Sequence, residues 1–250
     1  MKLEEEAALE IISNRPRAVL FDMDDTLFDH RHSSRSGLMA MQQCYPCFQQ
    51  MPIDELEQAY MLLLEEVHLQ VLLGEMSLDQ ARAVRMERLF AQFDGQSSRA
   101  TVEEATRMFR ETYQVSRQIV PGAIALLEAL RPHVKIGIVS NNMLAEQQEK
   151  LRYLGLEAHI DALVVSEEVG IVKPEAGIFL VALERLQCSA EETVMIGDAW
   201  QNDIIGARGA GIRAIWLNRY GVPCPDPSLA SEISAFEPLE AVFALLSLPS

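Results

Sequence analysis

Downstream of Ile119 the chain repeats one pattern, a short apolar and mostly β-branched run followed by a longer stretch with helical spacing. The runs are Lys135 to Val139, Ala162 to Val165, Thr193 to Ile196 and Ala214 to Leu217. They are too short for helices and lack polar alternation, as strands buried on both faces do. Strands and helices in alternation predict an α/β fold, a Rossmann-like parallel sheet with helices on both faces. Pro121 and Pro174 stand where helices would begin, a position proline tolerates because the N–H there has no partner. A Pro-rich connection at 221–227 leads to a last strand near 232–235 and a closing helix near 238–246. A fifth run of the same kind, Ala18 to Phe21, stands far upstream of the others.

The stretch between breaks the pattern. From about His30 to Arg117 it is rich in Leu, Met, Glu, Gln and Arg and contains no strand-like run. Three pairs have capping-box spacing, Asp54 with Glu57, Ser77 with Gln80 and Thr101 with Glu104. After the first, Leu56, Tyr60, Leu63, Val67 and Val71 recur at helical spacing. The 250 residues suit one domain carrying an insert, at about 150 residues per domain. We therefore expect a core of residues 1–28 and 119–250, and a helical subdomain at 29–118.

Charge narrows the partners. With 21 Lys and Arg against 37 Asp and Glu the formal net charge is −16, and only four of the basic residues are lysine. A nucleic-acid surface works by replacing condensed counterions with Lys and Arg, so none is expected. No apolar run approaches the roughly 18 residues of a membrane span. The start, Met1-Lys2-Leu3-Glu4-Glu5-Glu6, lacks the basic and apolar stretches of a secretory leader, and a cytoplasmic protein, monomer or homodimer, is expected. Cys44, Cys47, Cys188 and Cys224 read as free thiols, since zinc sites usually need a second Cys pair or added histidines.

The chemistry concentrates where strands end. Ala18-Val19-Leu20-Phe21 runs straight into Asp22-Met23-Asp24-Asp25-Thr26, three carboxylates within four residues, and in open α/β sheets ligands bind at that end. Asp and Thr are also ordinary turn residues. Stacking like charges beside a buried strand is unfavourable unless a cation compensates, and hard oxygen ligands suit Mg²⁺. Ser140-Asn141 follows the run Lys135 to Val139, Lys173-Pro174 comes beyond Ala162 to Val165, and Gly197-Asp198-Ala199-Trp200-Gln201-Asn202-Asp203 follows Thr193 to Ile196.

These four clusters, in this order, resemble the motifs of the haloacid dehalogenase superfamily over about Ala18 to Leu217. The resemblance implies that Asp22 attacks phosphorus to form an aspartyl phosphate. Asp24 would protonate the leaving oxygen and then deprotonate the attacking water. Ser140 and Asn141 would bind the phosphoryl group, and Lys173 would pair with nucleophile and phosphate. Mg²⁺ would be held by Asp22, the backbone carbonyl of Asp24, Asp198 and Asp203. The chemistry fits independently, because a carboxylate nucleophile divides one hard displacement into two easier ones and one neighbouring acid/base can serve both. Members often carry Ser where Ala199 stands here.

Asp22 and Ser140 are 118 positions apart, whereas Ser140 and Lys173 are 33 apart. The insert thus falls in the first gap, where the resemblance implies a C1-type helical cap. Members that cleave carbon–halogen bonds or phosphonates lack the aspartate at 24, so a phosphatase acting on a small phosphorylated metabolite is the better match. The stretches Pro121 to Glu128 and Val165 to Pro174 look like the branch with nucleoside monophosphate phosphatases of the pyrimidine 5′-nucleotidase kind. A sugar phosphomutase of the same superfamily and a non-catalytic phospho-ligand-binding member remain as alternatives. His30, Arg31, His32 and Arg35 read either as a clamp for a substrate anion or as a solvated helix start.

Overall fold

A computed structural model describes residues 15–93 and 97–249; the acidic start at Met1 to Glu6 lies outside them. The chain divides into two compact units, Met1–Phe28 with Ile119–Ser250, and Asp29–Gln118. No helix among the described residues is long and apolar enough to cross a membrane.

In the first unit β1 Ala18–Phe21, β2 Lys135–Ser140, β3 Ala162–Val165, β4 Thr193–Gly197, β5 Arg213–Leu217 and β6 Ser231–Ile233 form one sheet. Its order is β3-β2-β1-β4-β5-β6, and every pairing is parallel. β1 lies between β2 and β4, with Ala18 opposite both Lys135 and Thr193. The winding reverses there, which is where a crevice opens at the strands' C-terminal ends. β1 and β4 are buried throughout, and this two-sided burial is why their sequences are unbroken apolar runs. Ile178, Phe179, Ala182 and Leu186 of the Ala176–Leu186 helix pack on Leu20, Val139, Val164 and Met195 of the sheet.

Several boundaries differ from the sequence reading. β2 takes in Ser140, β4 takes in Gly197, and the last strand is Ser231–Ile233. Neither proline opens its helix. Gly122, with φ +81°, caps Ala123–Leu130, a conformation closed to proline. Glu175 N donates to Val172 O at 2.9 Å, closing a turn between Lys173 and the Ala176–Leu186 helix. Lys173 therefore stands ahead of that helix, outside its first turn. The first unit's chain leaves at Phe28 and returns at Ile119, and these two residues form an antiparallel bridge. Val120 N adds a bond to Leu27 O at 2.8 Å.

The second unit comprises the helices His30–Cys44, Pro46–Gln49, Ile53–Leu72, Leu78–Phe93 and Arg99–Val115. Its core gathers Leu38, Met41, Phe48, Leu56, Tyr60, Leu89, Phe90 and Phe109. Ser77 and Gln80 form the predicted capping box, with Ser77 N donating to Gln80 Oε1 at 2.9 Å and Gln80 N to Ser77 Oγ at 3.2 Å. The other two boxes are not there. The last helix starts a turn early, capped by Ser98, whose Oγ accepts from Thr101 N at 3.1 Å. The Ile53–Leu72 helix follows Pro52 without a side-chain cap, and Glu57, 2% exposed, instead accepts hydrogen bonds from Arg31 and Arg35. Arg31 and Arg35 thus form ion pairs inside their own unit, rather than simply a solvated helix start. His30 likewise has partners there, Tyr113 Oη at 2.8 Å and Ser34 Oγ at 3.2 Å.

Candidate active site

The site grows from the end of β1. Asp22 N extends the ladder by donating to Ile196 O at 3.1 Å, and the chain then folds tightly, with Asp25 at φ +62°, a left-handed conformation that Asp tolerates better than most residues. Thr26 ties this loop to the end of β4, since its hydroxyl lies 3.0 Å from Asp198 Oδ1 and accepts from Asp198 N at 3.1 Å. Trp216 Nε1 donates to Asp198 O at 2.8 Å. Beyond Ala199 the chain makes a π-helical turn, Trp200–Ile205, which carries Asp203 back against Gly197. Asp203 Oδ2 accepts from Ala199 N at 2.9 Å.

Lys173, 4% exposed, joins the strand ends. Its ammonium donates to Asp22 Oδ1 at 2.6 Å, Asp203 Oδ1 at 2.6 Å and Val139 O at 2.9 Å. Asn141 holds the lysine's backbone on both sides, accepting from Lys173 N at 2.7 Å and donating to Lys173 O at 2.9 Å. Ser140, also buried, accepts from Gln147 Nε2 at 2.9 Å.

Asp22, Asp198 and Asp203 each offer an oxygen within 4.8 Å of the others. Burial, with the charges of Asp203 and Asp24, pushes Asp22 up to about 7 against the pull of Lys173. Burial, with the charges of Asp22, Asp203 and Asp25, raises Asp198 well above the ordinary range. Burial would lower Lys173, but Asp203 and Asp22 outweigh it and raise it. Asp22 and Asp203, both buried, share the Lys173 ammonium while the half-buried Asp198 stands beside them, so negative charge is in excess. A hard divalent cation would neutralise that excess, and an all-oxygen donor set fits Mg²⁺.

The Asp24 carboxylate is engaged elsewhere. Its Oδ1 accepts from Lys150, and its Oδ2 from Asn142 Nδ2 at 3.1 Å and Gln147 Nε2 at 2.8 Å. The structure thus brings the side chains of Asp22, Asp198 and Asp203 together, with Lys173 bonded to the first and last. It also adds Thr26, Asn142, Gln147 and Lys150, to which the sequence reading gave no role. Lys150 and Gln147 share the buried stripe of the Leu144–Tyr153 helix with Leu151, a place where an amphipathic helix ordinarily carries apolar residues, so their polar character gave no sequence signal.

Residues 16–211 match the model of the haloacid dehalogenase-like hydrolase family. The pyrimidine 5′-nucleotidase YjjG of Escherichia coli (strain K12) is 43% identical over 108 residues, 43% of this chain and about half (48%) of that protein's length. Human N-acylneuraminate-9-phosphatase is 27% identical over 223 residues, 84% of this chain and 85% of the relative. Among solved structures, the HAD-hydrolase YfnB of Bacillus subtilis bound to magnesium is 27% identical, with a TM-score of 0.73 over 94% of this chain and 100% of that one.

Proposed function

The chain belongs to the haloacid dehalogenase-like hydrolases, and we propose that this phosphatase hydrolyses monoesters of small phosphorylated metabolites through an aspartyl phosphate on Asp22. The observation that carries this reading is the buried Lys173, bonded to Asp22 just past β1 and to Asp203 on the turn beyond β4. Such a junction, at the point where the sheet's crevice opens, supports Asp22 as nucleophile and Lys173 as the partner of the phosphoryl oxygens.

In the first half-reaction an Asp22 carboxylate oxygen bonds to phosphorus while the ester P–O bond breaks, and the departing oxygen takes its proton from Asp24. In the second, water attacks the same phosphorus, Asp24 accepts its proton, and the bond to Asp22 breaks to restore the carboxylate. Lys173 balances charge on the phosphoryl oxygens, where the transition state concentrates it. Ser140 Oγ and nearby backbone N–H groups hold a phosphoryl oxygen, and Asn141 fixes the lysine's backbone. Mg²⁺, held by Asp22, Asp198, Asp203 and the backbone carbonyl of Asp24, would supply further positive charge when bound.

Every group that the two half-reactions require is present, which weighs against phospho-ligand binding without turnover. Nucleoside monophosphates head the substrate candidates because of the similarity to the pyrimidine 5′-nucleotidase.

The test is phosphate release from p-nitrophenyl phosphate and a panel of nucleoside and sugar monophosphates, with Mg²⁺ or with excess EDTA. Turnover should require Mg²⁺ and fall by more than about 10³-fold in Asp22→Asn, as expected when a covalent nucleophile is removed. Asp22→Asn turning over at the wild-type rate would overturn the reading.

A further inference from the structure

The Asp24 carboxylate sits in a cradle built by one segment. Asn142 follows β2, and Gln147 and Lys150 lie one turn apart on the Leu144–Tyr153 helix. Lys150 is 5% exposed, and its ammonium stands 4.9 Å from the centre of the Phe28 ring, near enough for a cation–π contact. Burying a lysine is unfavourable unless its charge is paired, and here the pair is with Asp24 Oδ1. Gln147 Nε2 bonds both Asp24 Oδ2, at 2.8 Å, and Ser140 Oγ, at 2.9 Å. One amide thus links the carboxylate to a residue of the phosphoryl-binding strand end.

We propose that Lys150, with Gln147, is the positioning residue for Asp24: it fixes where that carboxylate stands relative to the bond being broken, without touching substrate. This rests on the reading of Asp24 as the acid and base. A carboxylate at the end of a mobile side chain protonates a leaving oxygen efficiently only when held within about half an ångström of the productive place. The ion pair to Lys150 and the two amide bonds supply three fixed points for its two oxygens. Lys150 then matters most where the leaving group most needs a proton.

The test compares kcat/KM, which reports steps through the transfer to Asp22, on an alkyl phosphate such as glycerol 2-phosphate and on p-nitrophenyl phosphate. p-Nitrophenolate departs with little help from an acid. Lys150→Met should lose about 10- to 100-fold on the alkyl ester and less than about 3-fold on the aryl ester, near the lower part of the range for general acid catalysis. Gln147→Leu should show the same selectivity, smaller in size, and serves if Lys150→Met does not fold. Equal losses on both esters in the folded variants overturn the proposal. Asp24→Asn is the control for the reading beneath it. If Asp24→Asn discriminates between the esters and the Lys150 and Gln147 variants do not, positioning fails while the acid stands. If Asp24→Asn does not discriminate, the acid assignment itself fails. In the Asp24→Asn background Lys150→Met should add no further selectivity, and an undiminished effect there also overturns the proposal.

Discussion

Asp203 packs directly onto the backbone of Gly197: a β-carbon at 197 would lie 2.3 Å from Asp203 Oδ2 and 2.5 Å from its Cγ. Gly197 is thus required by the close approach of a carboxylate. Gly197→Ala should displace Asp203, reduce activity at least about tenfold and destabilise the fold by about 1–3 kcal/mol, the usual range for overpacking. Chemical denaturation with a parallel activity assay checks it, and an unaltered variant would show that the π-helical turn yields freely.

Magnesium binding should depend on pH in a defined direction. Burial, with the neighbouring carboxylates, raises Asp22 to about 7 in the metal-free fold, above its ordinary range near 4. The stability from this extra proton is fully present below about pH 4 and is lost as pH rises through about 7. A cation needs the ionised carboxylate, so it competes with that proton. The rise in Tm on adding Mg²⁺ should be small at pH 5 and grow to pH 8. A rise independent of pH would remove Asp22 from the cation site.

Lys173→Met should be severe for stability as well as for turnover. It leaves Asp22 and Asp203, both buried, without their shared partner, and breaking a buried pair from one side typically costs about 3–5 kcal/mol. Without the ammonium Asp22, already raised by burial, titrates still higher, so the deficit against wild type should be larger at pH 8 than at pH 5.5. Urea unfolding at both values measures this in metal-free buffer.

A comparable asymmetry is expected at Glu57. Arg31 and Arg35 are 39% and 35% exposed in their side chains, against 2% for the carboxylate they share. Arg31→Met with Arg35→Met strands a buried charge and should cost about 3–5 kcal/mol. Glu57→Gln leaves two cations within reach of water and should cost clearly less. Equal losses would mean that the arginines act through packing alone.

The sheet was legible because burial on both faces writes each strand as an unbroken apolar run, as at Ala18–Phe21 and Thr193–Gly197. Residues that structure brings around Lys173 were legible because each directly follows such a run or a turn beyond it. Glu57 was not: its capping spacing is local, while its partners lie 22 and 26 residues away, and burial decided between them. Lys150 escaped for a related reason. In a helix as polar as 144–153, a Gln and a Lys three apart look like a solvated face, and only the carboxylate arriving from β1 turns that face inward.

The bridge between Phe28 and Ile119 has an evolutionary consequence. It fixes the two cut ends of the first unit as neighbours, so the segment between them is a closed cassette. Loop-closure entropy grows only slowly with the length enclosed, and the parental sheet is nearly indifferent to what the cassette contains. Helical inserts of other sizes whose ends meet can occupy the same gap while Asp22, Lys173, Asp198 and Asp203 keep their registers. Lineages can therefore exchange this insert without rebuilding the first unit's strand ends.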